Sequence, residues 1–126
     1  MASPKGPEAK TVRRGEIFWA DLAPRSGSEQ RGRRPVIIVS HDGFNLAAGW
    51  RSVIVVPLSR SEAQGKRGPT AVALPVESGG LDKSGVALCH QITTLDRSKL
   101  GPRIGALSSH LIAAIDTGLK AALDLG

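Results

Sequence analysis

The chain has 126 residues, 17 Lys/Arg against 11 Asp/Glu, a net charge of +6 and a pI near 10.3. That length serves one hydrophobic core and not two, and no apolar stretch approaches the roughly 20 residues that cross a bilayer. One cysteine, Cys89, excludes an internal disulfide, and no Cys/His cluster has metal-ligand spacing. No membrane span, metal or cofactor is therefore expected, and the location expected is cytoplasmic. Residues 1–67 hold 12 Lys/Arg against 6 Asp/Glu, whereas residues 68–126 hold 5 against 5. The net charge thus belongs to the first half, as a basic face for a polyanion or an acidic protein segment requires.

Residues 1–12 lack an apolar signal core and read as a disordered leader before a single domain over residues 13–126. Glu16–Leu22 is a short, partly alternating apolar segment, expected as a strand. The stretch Gly27–Pro35 then places Glu29, Gln30, Arg31, Arg33 and Arg34 within nine residues, with Gly27 and Gly32 permitting a tight turn. Pro35 biases Arg34 toward an extended conformation. A guanidinium fixed in this way suits planar, bidentate hydrogen bonding to phosphate oxygens, although a solvated basic hairpin loop has the same composition. Val36–Ser40 is a β-branched run expected to be buried on both faces, and Phe44–Ala48 is expected to make one helical turn. Trp50–Leu58 is the strongest strand signal, followed by a polar, basic loop at Ser59–Pro69 with Arg60, Lys66 and Arg67.

Ala71–Val76 and Gly85–Thr93 predict two further strands around a Gly79-Gly80 turn. Leu111, Ile112, Ile115, Leu119, Ala122 and Leu123 then recur at helical spacing behind Ser108, a suitable N-cap, with Gly118 as a weak point. Five or so short strands, a C-terminal helix and no βαβ alternation predict a mainly β fold: a curled antiparallel sheet or small barrel.

Three motifs occur in order: Gly-Ser-Glu-Gln leading to Arg34-Pro35, Val56-Pro57-Leu58-Ser59, and His90-Gln91-Ile92-Thr93-Thr94-Leu95-Asp96. With Arg14-Gly15-Glu16-Ile17 and Asp21-Leu22-Ala23-Pro24 ahead of them, the chain resembles the MazF/PemK toxins from about Arg14 to Leu123. The resemblance implies an SH3-like barrel of the PemK/CcdB type, usually a homodimer, that cuts single-stranded RNA without a metal and is silenced by an antitoxin with an acidic disordered segment. It also implies a catalytic role for Arg34 and Ser59, and substrate contact or proton transfer for Glu29 and Gln30. Ser28, Gln30, Arg33 and Gln91 are expected to bind substrate with Arg60, Lys66 and Arg67.

The chemistry of the side chains agrees with that assignment. Metal-free cleavage lets the 2′-hydroxyl attack phosphorus, and the protein must stabilise the phosphorane and move two protons. Arg34 suits the electrostatic role. Ser59 suits a second hydrogen bond, not covalent attack, because no Ser-His-Asp arrangement is evident.

Position 90 is acidic in many family members and is His90 here. Histidine titrates near neutral pH and can act as acid or base; the other reading is a half-exposed strand residue paired with Asp96 or backbone. His41 has two readings as well, proton carrier or plain loop residue. Phe18 and Trp19 are expected in the core, and Cys89 as a small buried hydrophobe. Two alternative functions are a non-enzymatic gyrase poison of the CcdB type and a non-catalytic RNA-binding barrel. The first lacks its Trp-Gly-Ile ending, since this chain finishes Ala122-Leu123-Asp124-Leu125-Gly126.

Overall fold

The computed structural model describes residues 11–22, 32–60 and 68–126. Seven strands form one antiparallel sheet: β1 Glu16–Leu22, β2 Gly32–Ile38, β3 Ser52–Ser59, β4 Ala71–Leu74, β5 Gly85–Leu88, β6 Thr93–Asp96 and β7 Leu100–Ala106. Helix α1, Asp42–Asn45, follows β2, and α2, Ser109–Leu123, ends the fold. The strand order is β4-β5-β3-β2-β1-β7, with β6 also paired to β3.

Alternation along the central strands builds two cores. Val36 and Ile38 of β2, with Val53 and Val55 of β3, face one cluster that also holds Phe18, Ala20 and Leu22. Ile37, Val39, Val56 and Leu58 face the other, which α2 covers through Leu111, Ile112, Ile115 and Leu119. The β-branched run at Val36 is thus buried on both faces, as expected of a strand at the centre of a fold. Val12, placed in the leader by the sequence, is fully buried in the first cluster. The Ser108 cap forms as expected, its hydroxyl accepting from the Leu111 N–H at 3.3 Å.

Three expectations need correction. The sequence segment Gly85–Thr93 is not one strand. A 3₁₀ turn at Cys89–Gln91 divides it, and both halves pair with the same edge of β3, the register moving by three residues across the turn. Two strands were also missed, because Thr93–Asp96 is short and β7 carries Gly101, Pro102 and Gly105. The sheet therefore has seven strands and not five. Finally, β2 begins at Gly32, whose φ of +79° is a left-handed conformation that glycine adopts without strain. Arg34 and Pro35 accordingly lie inside β2, opposite Ala20 and Trp19 of β1, and not in a loop ahead of it.

Candidate functional site

Two prolines open the sheet where β2 meets β3. Their ladder runs from Ile38↔Val55 to Val36↔Pro57 and stops. Pro57 and the adjoining Pro35 have no N–H to give it. Beyond that point β3 pairs on its other edge, Leu58 with Ala87 and Ser59 with Val86 of β5. Continuing the β2–β3 register by two residues sets Arg34 opposite Ser59 across the gap. Arg34 and Ser59 line one narrow crevice there, together with Pro35, Leu58, Leu81, Lys83, Ser84 and Gly85. Arg34 is half-buried and Ser59 is buried, at 4% exposure. Both side chains therefore have fixed surroundings, which preorganised hydrogen bonding to an anion requires.

The charge at the crevice is positive. Arg34, Arg60 and Lys83 all line it, and Arg60 is paired with Asp82 at 3.6 Å. Lys83 and Ser84 were missed from the sequence. The available signal was a polar Asp82-Lys83-Ser84 run between the Gly79-Gly80 turn and the apolar start of β5.

The remaining candidates lie elsewhere. Arg33 is exposed, its guanidinium 4.8 Å from the centre of the Trp19 ring; Trp19 is half-buried, whereas Phe18 is in the core as expected. His90 sits on the 3₁₀ turn beyond the far end of β5, exposed, its Nδ1 3.2 Å from the Thr70 hydroxyl. It does not pair with Asp96, whose carboxylate takes a 2.9 Å hydrogen bond from Arg51. Gln91 shares that turn. Neither His90 nor Gln91 lines the crevice. His41 is the N-cap of α1, its Nδ1 accepting from the Gly43 N–H at 2.7 Å. Cys89 is fully buried, and burial pushes its thiol up to about 11, with a further push from the Asp116 charge. Ser28, Glu29, Gln30, Lys66 and Arg67 lie outside the described residues. Among the described residues no His/Cys/Asp/Glu group is arranged to hold a metal ion, and no helix is long and apolar enough to cross a membrane.

The crevice thus combines two hydrogen-bond donors on adjoining strands with a positive surround. The profile of the PemK-like, MazF-like toxins of type II toxin–antitoxin systems matches residues 13–123. The chain is 35% identical over 114 residues to the endoribonucleases MazF2 of Mycobacterium bovis and MazF6 of Mycobacterium tuberculosis, covering 90% of this chain and 98% of each relative. Among solved structures, a mycobacterial endoribonuclease in complex with its cognate antitoxin is 28% identical, with a TM-score of 0.73 and coverage of 90% and 95%. MazF of Deinococcus radiodurans is 26% identical, with a TM-score of 0.75 and coverage of 92% and 99%. The matched residues span both β2 and β3, the strands that carry Arg34 and Ser59. The chain belongs to the PemK-like, MazF-like toxin family.

Proposed function

We propose that this endoribonuclease toxin cleaves single-stranded RNA without a metal ion, by attack of a 2′-hydroxyl on the adjacent phosphorus at the mouth of the Arg34–Ser59 crevice. The carrying observation is that these two donors, from strands parted by Pro35 and Pro57, line one crevice. Endoribonuclease activity itself follows from family membership and from relatives of that name covering 90% of the chain.

In the reaction the 2′-oxygen forms a bond to phosphorus as its proton leaves to a base. The bond to the 5′-oxygen then breaks as that oxygen gains a proton, giving a 2′,3′-cyclic phosphate and a 5′-hydroxyl. Arg34 donates N–H groups to the equatorial phosphoryl oxygens, and the Ser59 hydroxyl donates to the same group. Lys83 and Arg60 hold the surrounding potential positive. Charge on the phosphorane exceeds that on the phosphodiester, so fixed donors favour the transition state over the ground state. Proton transfer belongs in this reading to Glu29, since His90 does not line the crevice.

The positive surround also explains inhibition. An antitoxin segment that is acidic, apolar and disordered covers the crevice and excludes RNA by charge and shape. The working form is a cytoplasmic homodimer, and cleavage is selective for base sequence.

The test is incubation of the protein with a long single-stranded RNA in EDTA. Discrete fragments ending in 2′,3′-cyclic phosphates are expected, and mobility shifts without fragments contradict the reading. Arg34→Ala should lose at least about 10²-fold in kcat/KM with its thermal transition unchanged. Near-normal cleavage by that variant removes Arg34 from the mechanism.

A further inference from the structure

A second cavity, of about 290 Å³, adjoins the crevice and shares Pro35, Arg60 and Leu81 with it. It is lined as well by Trp19 of β1 with Pro102 and Ile104 of β7. These are flat or apolar surfaces, and Arg33, 4.8 Å from the ring centre, helps hold the indole in place. Arg60 and Asp82 both line the cavity, paired at 3.6 Å. A hydrogen-bond donor and an acceptor therefore stand side by side next to an aromatic platform, while the phosphate-directed groups lie in the adjoining crevice.

A nucleobase has matching features: a π-face to stack, and an edge on which donors and acceptors alternate. Unpaired RNA offers such bases already unstacked. The volume is near the roughly 300 Å³ low end of small-ligand pockets, enough for a nucleobase. We propose that this cavity receives one base of the RNA, that of a nucleotide adjoining the scissile phosphate, stacked against Trp19 with its edge read by Asp82 and Arg60. The cavity is then the structural origin of base selectivity at one position beside the cut. This inference rests on the ribonuclease reading.

The experiment maps cut sites in a randomised single-stranded RNA pool for the wild type and for Asp82→Asn, Trp19→Leu and Trp19→Phe. Asp82→Asn converts an acceptor-only edge into one that also donates, so it should change the preferred base at one position beside the cut. Trp19→Leu should lower kcat/KM about tenfold or more through lost stacking, while Trp19→Phe keeps most of it. Retained activity in Trp19→Phe separates lost stacking from a lost fold. Unchanged preference in Asp82→Asn, a change spread over many positions, or a Trp19→Leu rate within about twofold of wild type overturns the proposal while leaving the ribonuclease reading intact.

A second readout isolates the opposite failure. The chain has two tryptophans, so Trp50→Phe leaves Trp19 as the one reporter. Quenching of its fluorescence by single-stranded RNA, weakened for one base by Asp82→Asn, supports the cavity even if no RNA is cut; absence of quenching counts against it.

Discussion

Arg34 and Ser59 owe their arrangement to backbone chemistry more than to their own side chains. Two prolines end a ladder, the strands part, and the residues two steps beyond the last pair face each other across the gap. Two predictions belong to single residues beyond Arg34 and Ser59. His90 lies away from it, so His90→Gln should leave the pH–rate profile in place and change the rate by less than about threefold. Glu29→Gln should remove one limb of that profile, because a general base sets it. The reverse pattern, measured as kcat/KM across pH 5–9, would move proton transfer to His90. Cys89 carries the second prediction. With its thiol raised to about 11 by burial, roughly one molecule in a thousand is thiolate at pH 8. Cys89 should therefore resist a thiol reagent in the native protein and react fully once unfolded, and rapid native labelling would contradict its burial under α2.

At the scale of elements, the 3₁₀ turn Cys89–Gln91 joins the sheet to the helix. It interrupts one edge of β3, and α2 packs down on it: the Cys89 Sγ donates to the Ile115 carbonyl at 3.8 Å. Gly118 makes that approach possible. A Cβ at position 118 would stand 2.7 Å from the Cys89 Sγ and 3.0 Å from the Val72 Cγ2. In an exposed helix Gly→Ala gains about 1 kcal/mol, whereas overpacking costs about 1–3 kcal/mol. Gly118→Ala should thus lower stability by up to about 2 kcal/mol in denaturant unfolding, and a stabilised variant would show that the helix can shift. This junction also marks where the sequence ceased to be legible. Periodicity revealed α2, its Ser108 cap, β1 and the doubly buried β2–β3 pair, since those signals are local. The turn inside the segment Gly85–Thr93 was not visible, because a buried cysteine under a helix depends on a tertiary contact. Likewise Arg34, Pro35 and Ser59 could be picked out as residues, but the opening between their strands follows from register, which no single segment encodes. Lys83 and Ser84 reach the crevice from a turn without periodic character.

Across the whole molecule, charge bears on stability. Asp96 is held well below its ordinary value of 3.8, chiefly by its hydrogen bond from Arg51 and then by those from Ser98. Asp42 is lowered by the Arg14 backbone N–H and by Asn45. A carboxylate depressed in the folded state contributes stability that is fully present above its unfolded value and is lost as pH falls toward the folded one. The melting temperature should therefore be flat from neutrality to about pH 5 and fall below about pH 4. Asp96→Asn should flatten that fall, and an acid limb unchanged in the variant would exclude Asp96 as a contributor.

The proposed cleavage requires that Arg34 and Ser59 act on the same phosphate. Its most direct test is a crystal structure of the protein with an RNA oligonucleotide whose nucleotide 5′ of the cut lacks the 2′-hydroxyl and so cannot react. The scissile phosphate is expected at the crevice mouth, its oxygens accepting from the Arg34 guanidinium at about 2.7–2.9 Å and from the Ser59 hydroxyl. A phosphate bound to one of the two and out of reach of the other, or lodged elsewhere on the basic surface, would contradict it.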